Sequence, residues 1–105
     1  MAKYGWIITK DFLFDGEIIK KSAIGVFGPR GIAPAIEEAL HRGEGTRFKM
    51  WDDDDEPMYE GLFIGDADSE DGFAPLEDYG TPNAGATKIA YWQASGGRMP
   101  RWEIL

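Results

Sequence analysis

The chain contains no cysteine and a single histidine, His41, among its 105 residues. Without thiols it can form no disulfide, no thiolate zinc site and no cysteine nucleophile. A hydroxyl nucleophile needs a base beside it, and the three serines would have to share one imidazole. His41 also falls at the end of a predicted helix, where an interaction with the helix dipole accounts for it. We therefore expect a protein that is not an enzyme and uses no cofactor.

Long hydrophobic runs are also missing from the sequence. Residues 1–10 lack the apolar stretch of a secretory signal. Nowhere does the chain approach the ~20 consecutive apolar residues that cross a bilayer. These absences predict a cytoplasmic protein without a membrane partner.

Basic residues are absent from one segment, 51–80, which holds twelve of the nineteen acidic residues. The net charge of the whole chain is −8, so the other 75 residues, with eleven basic and seven acidic side chains, have a net charge of +4. Such a concentrated negative field attracts cations and basic protein surfaces and repels phosphate backbones. We therefore expect no direct binding of nucleic acid, which requires a basic surface.

Apolar residues are present in the amount that a globular core needs. Hydrophobic residues make up 43% of the chain and aromatic residues 13%. The length also suits one core, since single domains commonly span about 50 to 200 residues. We expect residues 1–105 to form a single small acidic α+β domain.

The first part of the chain predicts two strands and a helix. Apolar and β-branched residues fill 4–14 and 17–27, and the Asp-Gly pair at 15–16 is a strong signal for a hairpin turn between them. A short helix is expected from Pro34, which suits a first helical position, to Gly43, which terminates helices.

Further strands are predicted at 46–51, 58–64 and 87–92, with a last short one at 102–105. The intervening segment 65–85 is rich in Gly, Pro, Asp and Asn without a period, so we expect a long loop. The expected fold class is α+β: a mainly antiparallel sheet of five or six strands with one short helix packed on one face, in the order β-β-α-β-β-(long loop)-β. The core candidates are Trp6, Ile8, Ile24, Val26, Ile36, Leu40, Phe48, Met50, Leu62, Ile64, Ile89 and Tyr91.

Acidic spacing in the long loop suggests a divalent-cation site as an alternative. The first, third, fifth and twelfth places of a calcium-binding loop would be taken by Asp66, Asp68, Glu70 and Glu77. The sixth place requires glycine, where this chain has Asp71, and no flanking helices are predicted. We therefore prefer a solvated loop in which Asp side chains cap turns, and predict no metal site.

For function, the sequence favours a non-enzymatic binding or regulatory protein whose acidic face, 51–80, engages a basic partner surface. One form of this role is a nucleic-acid mimic that occupies the basic groove of a nucleic-acid-binding protein. The residues expected to contact the partner are Asp52, Asp53, Asp54, Asp55, Glu56, Asp66, Asp68, Glu70 and Asp71. The alternatives are a divalent-cation-binding domain that uses loop 66–77, and a structural or assembly subunit that pairs through an exposed edge strand.

Three stretches of the chain read Trp-Asp-Asp-Asp at 51–54, Glu-Asp-Gly-Phe at 70–73 and Asp-Tyr-Gly-Thr-Pro-Asn-Ala-Gly at 78–85. They resemble segments of small uncharacterised bacterial proteins, some of mobile-element origin. The resemblance covers the central and later thirds of the chain. It implies an accessory role, and it brings no known activity and no functional residues.

Overall fold

The structure, a computed structural model, describes residues 3–12, 23–93 and 101–105. These residues form one six-stranded antiparallel sheet with helices, which confirms the expected α+β class. The elements in chain order are β1 (Gly5–Asp11), β2 (Phe27–Gly28), α1 (Pro34–His41), β3 (Thr46–Trp51), β4 (Pro57–Ile64), α2 (Thr81–Ala84), β5 (Lys88–Gln93) and β6 (Arg101–Ile104). Across the sheet the strands lie in the order β2-β1-β4-β3-β5-β6.

Helix α1 lies on one face of the sheet, against β1. It begins at Pro34, where the missing backbone N–H costs nothing, and Gly43 follows it with a φ of 87°. A side chain at Gly5 could not be accommodated, because its Cβ would lie 2.7 Å from Ile36 Cγ2. The glycine therefore allows the helix to approach the strand closely, and Leu40 is buried in the contact region.

The opposite face of the sheet, which we call the covered face, carries most of the core. Its register places Trp6 opposite Phe63, and Phe48 between Gly61 and Tyr91. All four large side chains are nearly inaccessible to solvent. At Gly61 a Cβ would lie 2.5 Å from Phe48 Cζ, so the ring of Phe48 occupies the space that a side chain would need.

Residues 65–86, which we call the cover segment, lie over this face. The expectation of one long loop there is wrong: the segment contains a 3₁₀ turn (Glu70–Phe73), a π-helical turn (Leu76–Gly80) and helix α2. The expectation of only one helix is wrong for the same reason. Ala74 and Leu76 are buried against the sheet. We infer that contact with the sheet stabilises turns too short to form alone, and a periodicity search cannot detect them.

The expected core is wrong for strand β4. Leu62 and Ile64 are only partly buried, whereas the alternate residues Tyr59 and Phe63 face the core with Gly61 between them. Both faces of this strand are apolar, so alternation alone does not identify the buried one. The other core candidates that are not fully buried are Ile24, which is 59% exposed, and the half-buried Val26 and Ile36.

Strand β2 is shorter than the sequence predicts for 17–27. Of the described part of that run, only Phe27 and the following Gly28 are in a strand, and residues 23–26 form a turn and extended chain. The predicted hairpin turn at 15–16 lies outside the described residues.

Candidate functional site

The acidic residues expected to bind a partner fall into two groups at opposite ends of β4. The first group, 52–56, forms the tip of the hairpin between β3 and β4, and we call it the acidic tip. The second group, 66–71, begins the cover segment directly after β4 ends. An eight-residue strand separates its ends by about 23 Å at ~3.3 Å per residue. Residues adjacent in sequence therefore do not form one continuous acidic face.

Asp52 fixes the backbone of the acidic tip. Its Oδ1 accepts hydrogen bonds from the N–H groups of Asp54 at 2.9 Å and Glu56 at 3.0 Å. Asp55 has a φ of 61°, a conformation that non-glycine residues rarely adopt and Asp tolerates better than most. Asp52 is thus a turn-forming residue whose carboxylate is already engaged.

The neighbouring acids of the tip are held against the start of β5. Thr87 Oγ1 donates to Asp53 Oδ1 at 2.7 Å, and Lys88 forms a short ion pair with Asp55. Hydrogen bonding to Asp55 raises the pKa of Lys88. The side chains of Asp54 and Glu56 are exposed and bond to nothing in the described part of the chain. The tip therefore offers two free carboxylates on an anchored turn.

The second acidic group is also organised by local hydrogen bonds. Asp66 Oδ1 accepts from the N–H of Asp68 at 3.0 Å, and Ser69 Oγ accepts from the N–H of Asp71 at 3.2 Å. Ser69 Oγ also donates to the carbonyl oxygen of Asp66 at 2.7 Å. These bonds are the turn-capping contacts that the bland reading of the loop predicts.

The same residues do not form a metal cage. Among the described residues no group of three or more His, Cys, Asp or Glu side chains is placed to hold a metal ion. The twelfth residue of the suggested calcium loop, Glu77, lies in the π-helical turn rather than at the end of an open loop. No arrangement in the described part of the chain therefore favours the divalent-cation alternative.

Sequence reasoning missed a row of cations and tryptophans on the sheet face opposite the core. We call this row the open ladder: Arg47, Lys49, Trp51, Trp92 and Trp102. The Arg47 guanidinium lies 5.6 Å from the Trp92 ring and 5.4 Å from the Trp102 ring, and Lys49 Nζ lies 5.5 Å from Trp51. Alternation in β3 could have placed 47, 49 and 51 together, but their partners on β5 and β6 depend on register.

A carboxylate on β4 neutralises the open ladder. Glu60 accepts from Arg47 at 3.3 Å and lies 3.9 Å from Lys49, and its side chain is only 15% exposed. The two cations are therefore matched by one anion and by aromatic rings. This arrangement stabilises an uncovered sheet face without burying it.

A cleft of about 570 Å³ lies between β1, the chain around β2 and the π-helical turn. Its walls include three aromatic rings and one charged residue of each sign: Tyr4, Phe27, Tyr79, Arg30 and Asp78. Burial, followed by the charge of Asp78, raises the pKa of Tyr4.

Trp6 forms part of this wall, and its buried Nε1 has no hydrogen-bond partner. A Cβ at Gly28 would lie 3.3 Å from that nitrogen, so the indole edge lies against the backbone of β2. Because its nitrogen is covered in this way, the indole N–H is not presented to the cleft.

Comparison of the chain with protein-family models, with curated proteins and with solved structures finds no match. Among the described residues, no helix is both long and apolar enough to cross a membrane. Function is therefore inferred from the geometry and charge of the acidic tip, the open ladder and the cleft.

Proposed function

We propose that this protein is a non-enzymatic binding protein that engages a basic partner surface with its acidic tip. The observation that carries the proposal is the state of the tip carboxylates. Asp54 and Glu56 have no partner in the described part of the chain, while Asp52 holds the turn that presents them. Lys88 neutralises only Asp55. A fixed cluster of uncompensated charge increases the association rate with a surface of opposite sign.

The two-group geometry sharpens the kind of partner. Acids in 66–71 lie beyond the far end of β4, about 23 Å from the tip. A partner that contacts only the tip needs a compact basic patch, whereas a partner that contacts both groups needs an extended basic groove. A nucleic-acid-binding protein has such a groove, and mimicry of nucleic acid is the form of the proposal that requires both groups.

Matched double substitutions separate the two groups. Asp54→Asn with Glu56→Gln removes two charges from the tip, and Asp68→Asn with Glu70→Gln removes two from 66–71. Both variants have the same net charge, so a difference between them reports position. For a purified basic partner obtained by pull-down from the native host, we expect the tip variant to bind about tenfold more weakly, or ~1.4 kcal/mol.

The control variant distinguishes the outcomes. A partner that contacts only the tip should bind the 68/70 variant almost as well as the unmodified protein, and a mimic should lose affinity with both. Binding should also weaken steeply between low and physiological salt, since exposed charges are screened over about 8 Å there. Affinity that is insensitive to the tip substitutions and to salt would contradict the proposal.

A further inference from the structure

Strand β6 leaves one row of backbone hydrogen-bonding groups unused at the edge of the sheet. It is the last strand in the sheet order, paired on one side with β5. The N–H of Leu105 donates to the carbonyl of Ile89 at 3.0 Å, so the odd-numbered residues of the strand turn toward β5. In an antiparallel pair the alternate residues turn away, which directs the N–H and C=O of Trp102 and Ile104 outward.

This edge lacks the features that keep edge strands from pairing. Residues 101–104 read Arg-Trp-Glu-Ile, without proline or lysine, and the register with β5 runs through four pairs without a bulge. The apolar side chain of Ile104 is 62% exposed. The opposite edge of the described sheet, β2, is only two residues long. Edge pairing is therefore favoured at β6.

The charges on β6 are complementary to a second copy of the same strand. Arg101 and Glu103 lie two residues apart and are both exposed. If two β6 strands run antiparallel with Trp102 opposite the partner's Trp102, then Arg101 lies opposite the partner's Glu103, and the reverse pair forms by symmetry. That register also joins outward-facing groups to outward-facing groups, as a hydrogen-bonded pair requires.

From this complementarity we infer that the protein forms a twofold dimer through β6, with two Arg101–Glu103 pairs across the interface. The two sheets join into one of twelve strands, and the two Trp102 rings meet on the face that carries the open ladder. A neighbouring register, centred on Glu103, would place two carboxylates opposite each other, which is unfavourable. The dimer is independent of the proposed binding role, because the acidic tips belong to the β3–β4 hairpins.

Charge reversal tests the interface with its own rescue. Arg101→Glu and Glu103→Arg each place like charges opposite one another, so each alone should weaken the dimer by about tenfold or more. The double reversal restores both pairs in mirror order. A mixture of the two single variants should form heterodimers, because each chain then supplies the charge that the other needs. Sedimentation over a concentration series measures all four samples.

Net charge alone predicts a different pattern. From −8, Arg101→Glu gives −10 and Glu103→Arg gives −6. General repulsion would therefore weaken one variant and strengthen the other, whereas the proposed pairs weaken both. Arg42→Glu, at the exposed Arg42–Glu44 pair after α1, makes the same charge change away from β6 and should leave the dimer intact. Thermal unfolding checks that every variant is folded.

Three results would overturn the inference. The first is a monomer at about 1 mM, where even a weak association of about −4 kcal/mol would half-populate the dimer. The second is a dimer that Arg101→Glu leaves unchanged, which would indicate another register or another surface. The third is a mixture of single variants that shows no more association than either variant alone.

Discussion

The two faces of the same sheet are stabilised in opposite ways. On strand β3, Phe48 and Met50 face the cover segment and are completely buried, while Arg47 and Lys49 face the open ladder. The covered face depends on excluding water from large apolar side chains, which gives each of them a large stabilising effect. The open face depends on ion pairs and ring contacts in water, which contribute little individually. One strand thus combines a face that sets stability with one that remains available at the surface.

Truncation of Phe48 should have the largest effect on this comparison. Phe48→Ala removes a fully buried ring from between Gly61 and Tyr91 and leaves a cavity, which costs about 3 to 5 kcal/mol. Arg47→Ala, one residue away on the open face, should cost less than about 1 kcal/mol. Urea unfolding of both variants measures the contrast. Equal costs would mean that the cover segment does not exclude water from the covered face.

Alkaline pH should also act on the covered face. Burial, followed by the charge of nearby Tyr79, raises the pKa of Tyr59 to about 12, and burial raises those of Tyr79 and Tyr91 as well. Below the unfolded value of 10.0 the phenols are neutral in both states, so their contribution is fully present. As pH rises toward about 12 the unfolded state loses protons first, and stability falls.

Tyrosinate absorbance and circular dichroism measured together should therefore show ionisation coinciding with unfolding between pH 10 and about 12. Tyr59→Phe should move this alkaline transition to higher pH. Tyrosines that ionise near 10 while the chain remains folded would be inconsistent with a buried cluster on the covered face.

A methyl group at position 61 should disturb the covered face without removing anything from it. In Gly61→Ala the new Cβ would lie 2.5 Å from Phe48 Cζ, so the ring must move, at a cost of about 1 to 3 kcal/mol. Phe48→Leu, which shortens the opposing side chain, should partly offset this cost. A double-mutant cycle of melting temperatures tests for that non-additivity. Strictly additive effects would argue against direct contact between the two positions.

The phenol of Tyr91 ties the cover segment to the sheet. Its O–H donates to the carbonyl of Gly72 at 2.8 Å in a buried site. Tyr91→Phe keeps the ring and leaves that carbonyl unpaired, which costs about 1 to 2 kcal/mol. Hydrogen exchange of residues 65–86 should increase more than exchange of β3. Unchanged exchange in the cover segment would show that its apolar contacts hold it without the phenol.

Local signals in the sequence located several elements correctly. Pro34 begins α1, and β3 covers the residues 46–51 that alternation predicts. These signals act over a few neighbouring residues, so they survive without knowledge of the fold. The buried face of β4 did not follow in this way, because Leu62 and Phe63 are both apolar. Contact with the cover segment, which is distant in sequence, decides between them.

The candidate site failed for a related reason. The acids of 51–80 are contiguous in sequence, and β4 runs through their middle and carries the two groups apart. Conversely, the open ladder joins Arg47 to Trp92 and Trp102, which are far from it in sequence. Sequence proximity indicated a site that folding divides, and sequence distance concealed a surface that folding assembles.

Neutralising the anion of the open ladder should have the smallest effect. Glu60→Gln leaves Arg47 and Lys49 without their shared carboxylate, but both cations keep contact with aromatic rings and water. We expect a loss of less than about 1 kcal/mol that disappears in high salt, because exposed ion pairs are screened. Glu44→Gln, at the fully solvated pair with Arg42, should change stability even less. A loss above about 2 kcal/mol that persists in high salt would mean that Glu60 is buried more deeply in function than in area, and that the open face is as tightly organised as the covered one.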